Sequence, residues 1–225
     1  MRVLAAADIH GQQAVYDWLL RQAHEHQVDA LILAGDLLGC PSGFGTPEEW
    51  QRHEAEALVR RLDASGVLVL HVMGNDDLVE LDSASDRMRP LHGRRVEHGG
   101  FAFVGYQYSL PFMGGFFEKP EAGIAADLAD LKPLLDADTV FVSHSPAFGI
   151  LDPGVGDARI GSRSLGRLLA EHRVRAHIHG HSHAGFGRQG RHFNVACAGR
   201  SRAILIDVAT MRHWLLGAES QDLGA

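Results

Sequence analysis

Four stretches of this chain are apolar almost from end to end, and each stops at a short polar motif: Val3–Ala7, Ala30–Ala34, Val67–Met73 and Thr139–Val142. A strand covered on both faces reads this way, whereas a strand with one wet face alternates. The pattern predicts buried strands. The alternation of these runs with amphipathic stretches in the first half predicts parallel strand–helix–strand units. In open α/β sheets, ligands gather beyond the carboxyl ends of the strands. The residues just after each run are therefore where chemistry is expected.

In chain order those residues are Asp8-Ile9-His10, Gly35-Asp36, Gly74-Asn75-Asp76-Asp77, Ser143-His144-Ser145-Pro146 and, after Ala176–His179, Gly180-His181-Ser182-His183. Carboxylates, an amide oxygen and imidazoles at one sheet edge form a donor set for borderline divalent metals such as Mn, Fe, Zn, Co or Ni. Two such ions about 3.5–4 Å apart can clamp the attacking and leaving oxygens of a phosphoryl group. Each motif alone is weak. A Gly-Asp pair is usually a turn, His144 alone reads as a hydrogen-bonded core histidine, and His177, His179, His181 and His183 together read as a polar strand face. Five motifs in order, each behind its own strand, argue for one site.

The set resembles the calcineurin-like metallophosphoesterase family, whose pattern is D-x-H, G-D, G-N-H-D/E, a lone His and G-H-x-H. The match runs from residue 3 to about residue 208. The resemblance implies a four-layer αββα sandwich, two mixed β-sheets flanked by helices, as one domain over residues 1–225. It places Asp8, His10 and His183 on one divalent ion, Asn75, His144 and His181 on a second, and Asp36 between them. Catalytic parts fall to Asn75, His144 and the residue at 76, with a hydroxide held between the ions attacking phosphorus in line. His177 and His179 match no ligand position and are expected as core or supporting groups. The segment from Ser145 to Asp152, with Gly156 and Gly161-Ser162-Arg163-Ser164-Leu165, further resembles a subgroup of small phosphoesterases related to cyclic-nucleotide phosphodiesterases. The implied activity is hydrolysis of small phosphate esters, nucleotides among them. Diesters and cyclic nucleotides are favoured, with monoesters or phosphoproteins as the alternative. A scaffold that reuses the fold is the rival class. Such a module would have lost ligands, whereas every ligand position is filled here.

One position departs from the pattern. The family's third motif carries a His, thought to protonate the leaving group or steady the phosphate, where this chain has Asp76. Several readings stand open: a carboxylic acid whose pKa is raised by burial or a like charge, a proton supplied by a different His, leaving groups good enough to need no acid, or a residue that merely makes the turn. Asp77, in the family's acidic position, is expected to orient a neighbouring ligand.

Bulk properties exclude several classes. The net charge is −7 over 225 residues, whereas a duplex-binding protein generally shows a basic face. Long nucleic acid is therefore not an expected partner. No apolar run approaches the roughly 20 residues of a membrane span, and the N-terminus runs directly into the first strand. The expectation is a cytoplasmic protein without a membrane partner. Cys40 and Cys197 offer neither a disulfide framework nor a zinc spacing. Oligomeric state is not legible.

Helices are expected from about Gln12 to Gln27 with Val15, Trp18, Leu19 and Ala23 inward. A second starts at the capping box Thr46-Pro47-Glu48-Glu49, carries Trp50, Ala57, Leu58 and Leu62 inward and ends at Gly66. A third spans about Gly123 to Leu135, and a fourth is capped by Ser162 with Leu165, Leu168 and Leu169 buried. Further strands are expected at Val96–Val104, Ala176–His179, His192–Ala196 and Ala203–Val208. Two loops are candidates for substrate selection: Gly39–Gly45, with Phe44, and the aromatic loop Tyr106–Pro120. The aromatics of the second either pack down or, for one or two of them, face the site.

Overall fold

The computed structural model describes residues 1–39 and 45–217, so Cys40, Phe44 and most of the Gly39–Gly45 loop lie outside the described residues. The expected buried strands form the centres of two mixed six-stranded sheets. The first sheet runs β12 (Arg212–Leu216), β11 (Ala203–Asp207), β1 (Arg2–Ala6), β2 (Ala30–Ala34), β3 (Val69–Val72) and β4 (Met88–Pro90). β1 through β4 are mutually parallel, and β11 is antiparallel to β1. The second runs β5 (Arg95–His98), β6 (Phe101–Tyr106), β7 (Thr139–Ser143), β8 (Ala176–His179), β10 (His192–Asn194) and β9 (Gly187–Gln189), with β6, β7, β8 and β10 parallel.

Alternate residues of each central strand enter different layers, which is why the runs are apolar throughout. On β1, Leu4 and Ala6 face α1 (Gln13–Glu25) and α2 (Pro47–Ala64), while Val3 and Ala5 face the second sheet. The middle layer joins Ile32 and Leu70 of the first sheet to Phe103, Val140, Val142 and Ile178 of the second. The outer layer packs Phe141 and Tyr106 on α3 (Glu121–Leu131) and α4 (Arg163–Glu171) through Ile124, Leu128, Leu165 and Leu168. The result is an α/β fold of four layers, αββα. Among the described residues, no helix is long and apolar enough to cross a membrane.

Local signals place the helix ends. Thr46 accepts the Glu49 N–H while the Glu49 side chain takes the Thr46 N–H, the reciprocal cap of α2. Ser162 caps α4 through the Leu165 N–H. Several inward positions differ from expectation. In α1, Tyr16 rather than Trp18 is fully buried, because its hydroxyl can donate to the Leu37 carbonyl at 2.7 Å. In α2, Ala57 is exposed, Trp50 is half-buried, and Gln51 and Ala55 take the inner face. α3 begins at Glu121, and Pro133 sits in the 3-10 turn Lys132–Leu134 that follows. Val96–Val104 is not one strand but a hairpin, β5 and β6. Its corner is Gly99-Gly100, both at positive φ, which a β-branched or bulky residue would not tolerate.

Candidate metal centre

The five motifs lie at the carboxyl ends of β1, β2, β3, β7 and β8, side by side across the two sheets. Asp8, His10, Asp36 and Asn75 come from the first sheet; His144, His181 and His183 come from the second. Ligating atoms of Asp8, His10 and His183 lie within 4.8 Å of one another, as do those of Asp36, His144 and His181. Asp36 also shares a group of that size with His10 and Asp76, so it stands between the two sets.

The backbone here is held in an uncommon state. Asp8, His10, Asp36 and His181 have φ of 57°, 49°, 52° and 65°, half of the eight non-glycine residues at positive φ among the described residues. Such conformations cost about 1–3 kcal/mol each and persist where the surroundings over-determine them. The turn residues leave no room for side chains: a Cβ on Gly74 would collide with Asp36 Oδ1, and one on Gly180 with Asp8 Oδ2 at 2.5 Å. Sequence reasoning had no signal for the strained backbone, because the residue types in these motifs do not announce their φ.

Hydrogen bonding defines what the donor set can hold. The Nδ1 of His144 lies 2.9 Å from the Ala34 carbonyl, a pure acceptor, so Nδ1 carries the hydrogen. In a neutral imidazole that leaves a lone pair on Nε2, which faces Asn75 Oδ1 at 3.0 Å and Asp36 Oδ2 at 3.4 Å. Three acceptors pointed at one another are stable only around a cation. A similar convergence joins His183 Nε2 to Asp8 Oδ1 at 3.2 Å and to His10 Nε2 at 3.5 Å. Asp8 in turn takes the His181 N–H at 3.0–3.1 Å, tying β1 to the loop after β8. Carboxylate, amide oxygen and imidazole in these groupings fit divalent metal.

The electrostatics say the same. Burial works to raise the pKa of Asp36, yet the His144 and His10 imidazoles and the Asp76 N–H hold it well below the usual carboxylate range. Burial works against charge on His144, but the Asp36 and Asp8 carboxylates push it up to about 10. Negative potential at the centre therefore holds a proton where a metal ion would sit. His181, buried and facing His144, is pulled down to about 4, leaving its lone pair free to ligate.

Supporting groups surround the ligands. Asp77 is buried and accepts the N–H groups of Leu37, Leu38 and Gly74 at 2.8–2.9 Å, so it staples the loop after β2 to the loop after β3. Gln51 is a buried polar residue that hydropathy reading missed. Its amide donates to the carbonyls of Gly39 and Asp76 and accepts from Leu78 N–H. Asn194 and Arg202, also missed, hold the carbonyls of Ser182 and His183. His177 and His179 face the α3/α4 side, where His177 Nε2 meets Ser143 Oγ at 2.8 Å and the two rings stack. Cys197 is buried with its Sγ against the Asp8 carbonyl, and burial pushes its thiol up to about 12.

The aromatic loop divides. Tyr106 ends β6 and is fully buried, its hydroxyl on Asp127, and Phe117 is buried. Phe112, Met113 and Phe116 stand exposed, with the Phe112 ring edge-on to that of His181 at 6.4 Å between centroids. The Glu118 carboxylate accepts the N–H groups of Phe112, Met113 and Gly114, each at 2.9 Å, and gathers the loop tip into one shape. The Gly115 backbone abuts the Asn75 carbonyl so closely that any Cβ there would collide with it.

Residues 1–185 match the family model described as calcineurin-like phosphoesterase. Among curated proteins the chain is 35% identical over 115 residues to the SbcD component of the nuclease SbcCD of Escherichia coli K12, a stretch covering 45% of this chain and 28% of that protein. The match thus spans little more than a quarter of the length of this curated relative. Among solved structures, TT1561 of Thermus thermophilus superposes with a TM-score of 0.73 at 16% identity, covering 97% of this chain and 99% of that one. A dimetal phosphatase from Danio rerio superposes with a TM-score of 0.56 at 15% identity, covering 97% and 99%. These structural likenesses are likenesses of fold.

Proposed function

We propose, for a chain that belongs to the calcineurin-like phosphoesterase family of metal-dependent phosphoric ester hydrolases, that its centre takes two divalent ions and hydrolyses small phosphate esters, with diesters and cyclic nucleotides ahead of monoesters. In this reading Asp8, His10 and His183 hold one ion, Asn75, His144 and His181 the other, and Asp36 bridges. The donor set suits Mn, Fe, Zn, Co or Ni. Bound ions supply Lewis-acid polarisation of the phosphoryl oxygens and an activated water near neutral pH.

The protein's own part is positioning. His144 presents Nε2 because its Nδ1–H is spent on Ala34. Asn75 presents Oδ1 from a turn that Asp77 fixes. Exposed Phe112, beside His181, offers an apolar surface to whatever group the phosphate carries. An aromatic there suits a nucleobase. The net charge of −7 supports a small ester over a long nucleic acid. The observation that carries the reading is the convergence of His144 Nε2, Asn75 Oδ1 and Asp36 Oδ2, a set that needs a cation among its members, whether a proton or a metal ion. A screen of metal-loaded protein against p-nitrophenyl phosphate, p-nitrophenyl phenylphosphonate, a bis-aryl diester and cyclic nucleotides tests it. Chelator-sensitive hydrolysis with diesters leading is expected; no hydrolysis of any of them by the loaded protein would sink it.

A further inference from the structure

We propose that Asp76 is a positioning residue that fixes one ligand of each ion; this rests on the two-ion reading above. A terminal amide can present either its oxygen or its nitrogen to an ion, and only the oxygen ligates. Asn75 Nδ2 donates to Asp76 Oδ1 at 2.8 Å while Asn75 Oδ1 lies 3.0 Å from His144 Nε2. Turning the amide over would set its oxygen against the Asp76 carboxylate, acceptor against acceptor. Asp76 therefore holds the Asn75 oxygen on the ion side.

The other carboxylate oxygen does related work. Asp76 Oδ2 lies 3.6 Å from His10 Nδ1, an ion-pair distance, while His10 Nε2 is the atom beside His183. A carboxylate facing the far nitrogen favours the hydrogen on Nδ1 and the lone pair on Nε2, the tautomer a metal needs. The main chain of Asp76 is also committed. Its N–H donates to Asp36 Oδ1 at 2.9 Å and its carbonyl accepts from Gln51 at 2.9 Å. One residue thus contacts the bridging carboxylate and one ligand of each ion, although its side chain is 46% exposed.

The test is metal titration of wild type, Asp76→Ala and Asp76→Asn by calorimetry, with the melting temperature of each metal-free protein and the visible spectrum of each cobalt(II) form. Loss of a partner behind a metal ligand typically weakens affinity about 10–100-fold. Asp76→Ala should weaken both ions by about that factor, with an altered cobalt spectrum and an unchanged metal-free melting temperature. Asp76→Asn keeps an oxygen for the Asn75 amide and should restore one affinity and not the other. If wild type takes two ions and Asp76→Ala takes both with equal affinity and spectrum, the proposal is overturned and the two-ion reading stands. If Asp76→Ala does not fold, Asp76→Asn decides, and wild-type affinity at both sites overturns the proposal. If wild type takes fewer than two ions, the two-ion reading itself fails.

Discussion

His71 stands inside β3, fully enclosed, with its Nδ1 unpaired. Burial pulls its pKa down to about 4 from an ordinary value near 6.5. As pH falls below 6.5 the unfolded chain takes up this proton and the folded chain does not. The stability His71 contributes is therefore present above about pH 6.5 and is lost as pH falls towards 4, on the order of 3 kcal/mol in all. Urea unfolding at pH 7.5 and pH 5 should show a smaller loss in His71→Leu than in wild type; equal losses would dismiss the assignment. His71 is also a case of what sequence conceals: within an apolar run it reads as a strand residue, and its unpaired nitrogen is visible only in the packing. The seven candidate ligands could be singled out for a different reason: Asp8, His10, Asp36, Asn75 and His144 follow mostly apolar runs, and His181 and His183 follow the alternating Ala176–His179. The left-handed backbone at Asp8, His10, Asp36 and His181 could not be, because φ depends on what surrounds the turn.

At the level of elements, the central strands and the capped helices could be read because their signals are local. The short strands could not. β4, β9 and β12 have three to five residues and largely exposed or half-buried side chains, with no apolar run to mark them. They are sheet edges, defined by pairing partners rather than by a pattern of their own. The α2 cap offers a direct check. Thr46→Ala should cost about 1 kcal/mol by chemical denaturation while leaving hydrolysis unchanged; a much larger loss would mean that Thr46 does more than cap. The loop of residues 107–120 makes a second. Phe112→Ala should raise KM for an ester carrying a nucleobase about tenfold, in line with a stacking contribution of about 1–3 kcal/mol, with little change for a small aryl ester. Glu118→Gln should act in the same direction by loosening the three N–H groups it gathers. Equal effects on both substrates would show that the loop serves the fold rather than selection.

For the whole molecule, the telling feature is that each proposed ion draws ligands from both sheets. Asp8 and His10 from the first sheet meet His183 from the second, Asn75 from the first meets His144 from the second, and Asp36 from the first groups with His144 and His181 from the second. The sheet-to-sheet layer was implied by the family resemblance, but strand-by-strand reading could not show which ends face each other across it. Ions bound there link the two sheets, so loading should stabilise the fold by mass action. At a hundredfold excess over the dissociation constant each ion adds about 2.7 kcal/mol, or roughly 5–10 °C for a chain of this size. Calorimetric melts with and without metal measure this; identical curves would mean no ion spans the sheets.

The central claim is a two-ion centre bridged by Asp36, and elemental analysis of metal-loaded protein after removal of free ions tests it most directly. Wild type should carry close to two divalent ions per chain, His183→Ala should lose mainly one, and Asp36→Ala should lose both while remaining folded. One ion or none in the wild type, or two ions retained by Asp36→Ala, would contradict it.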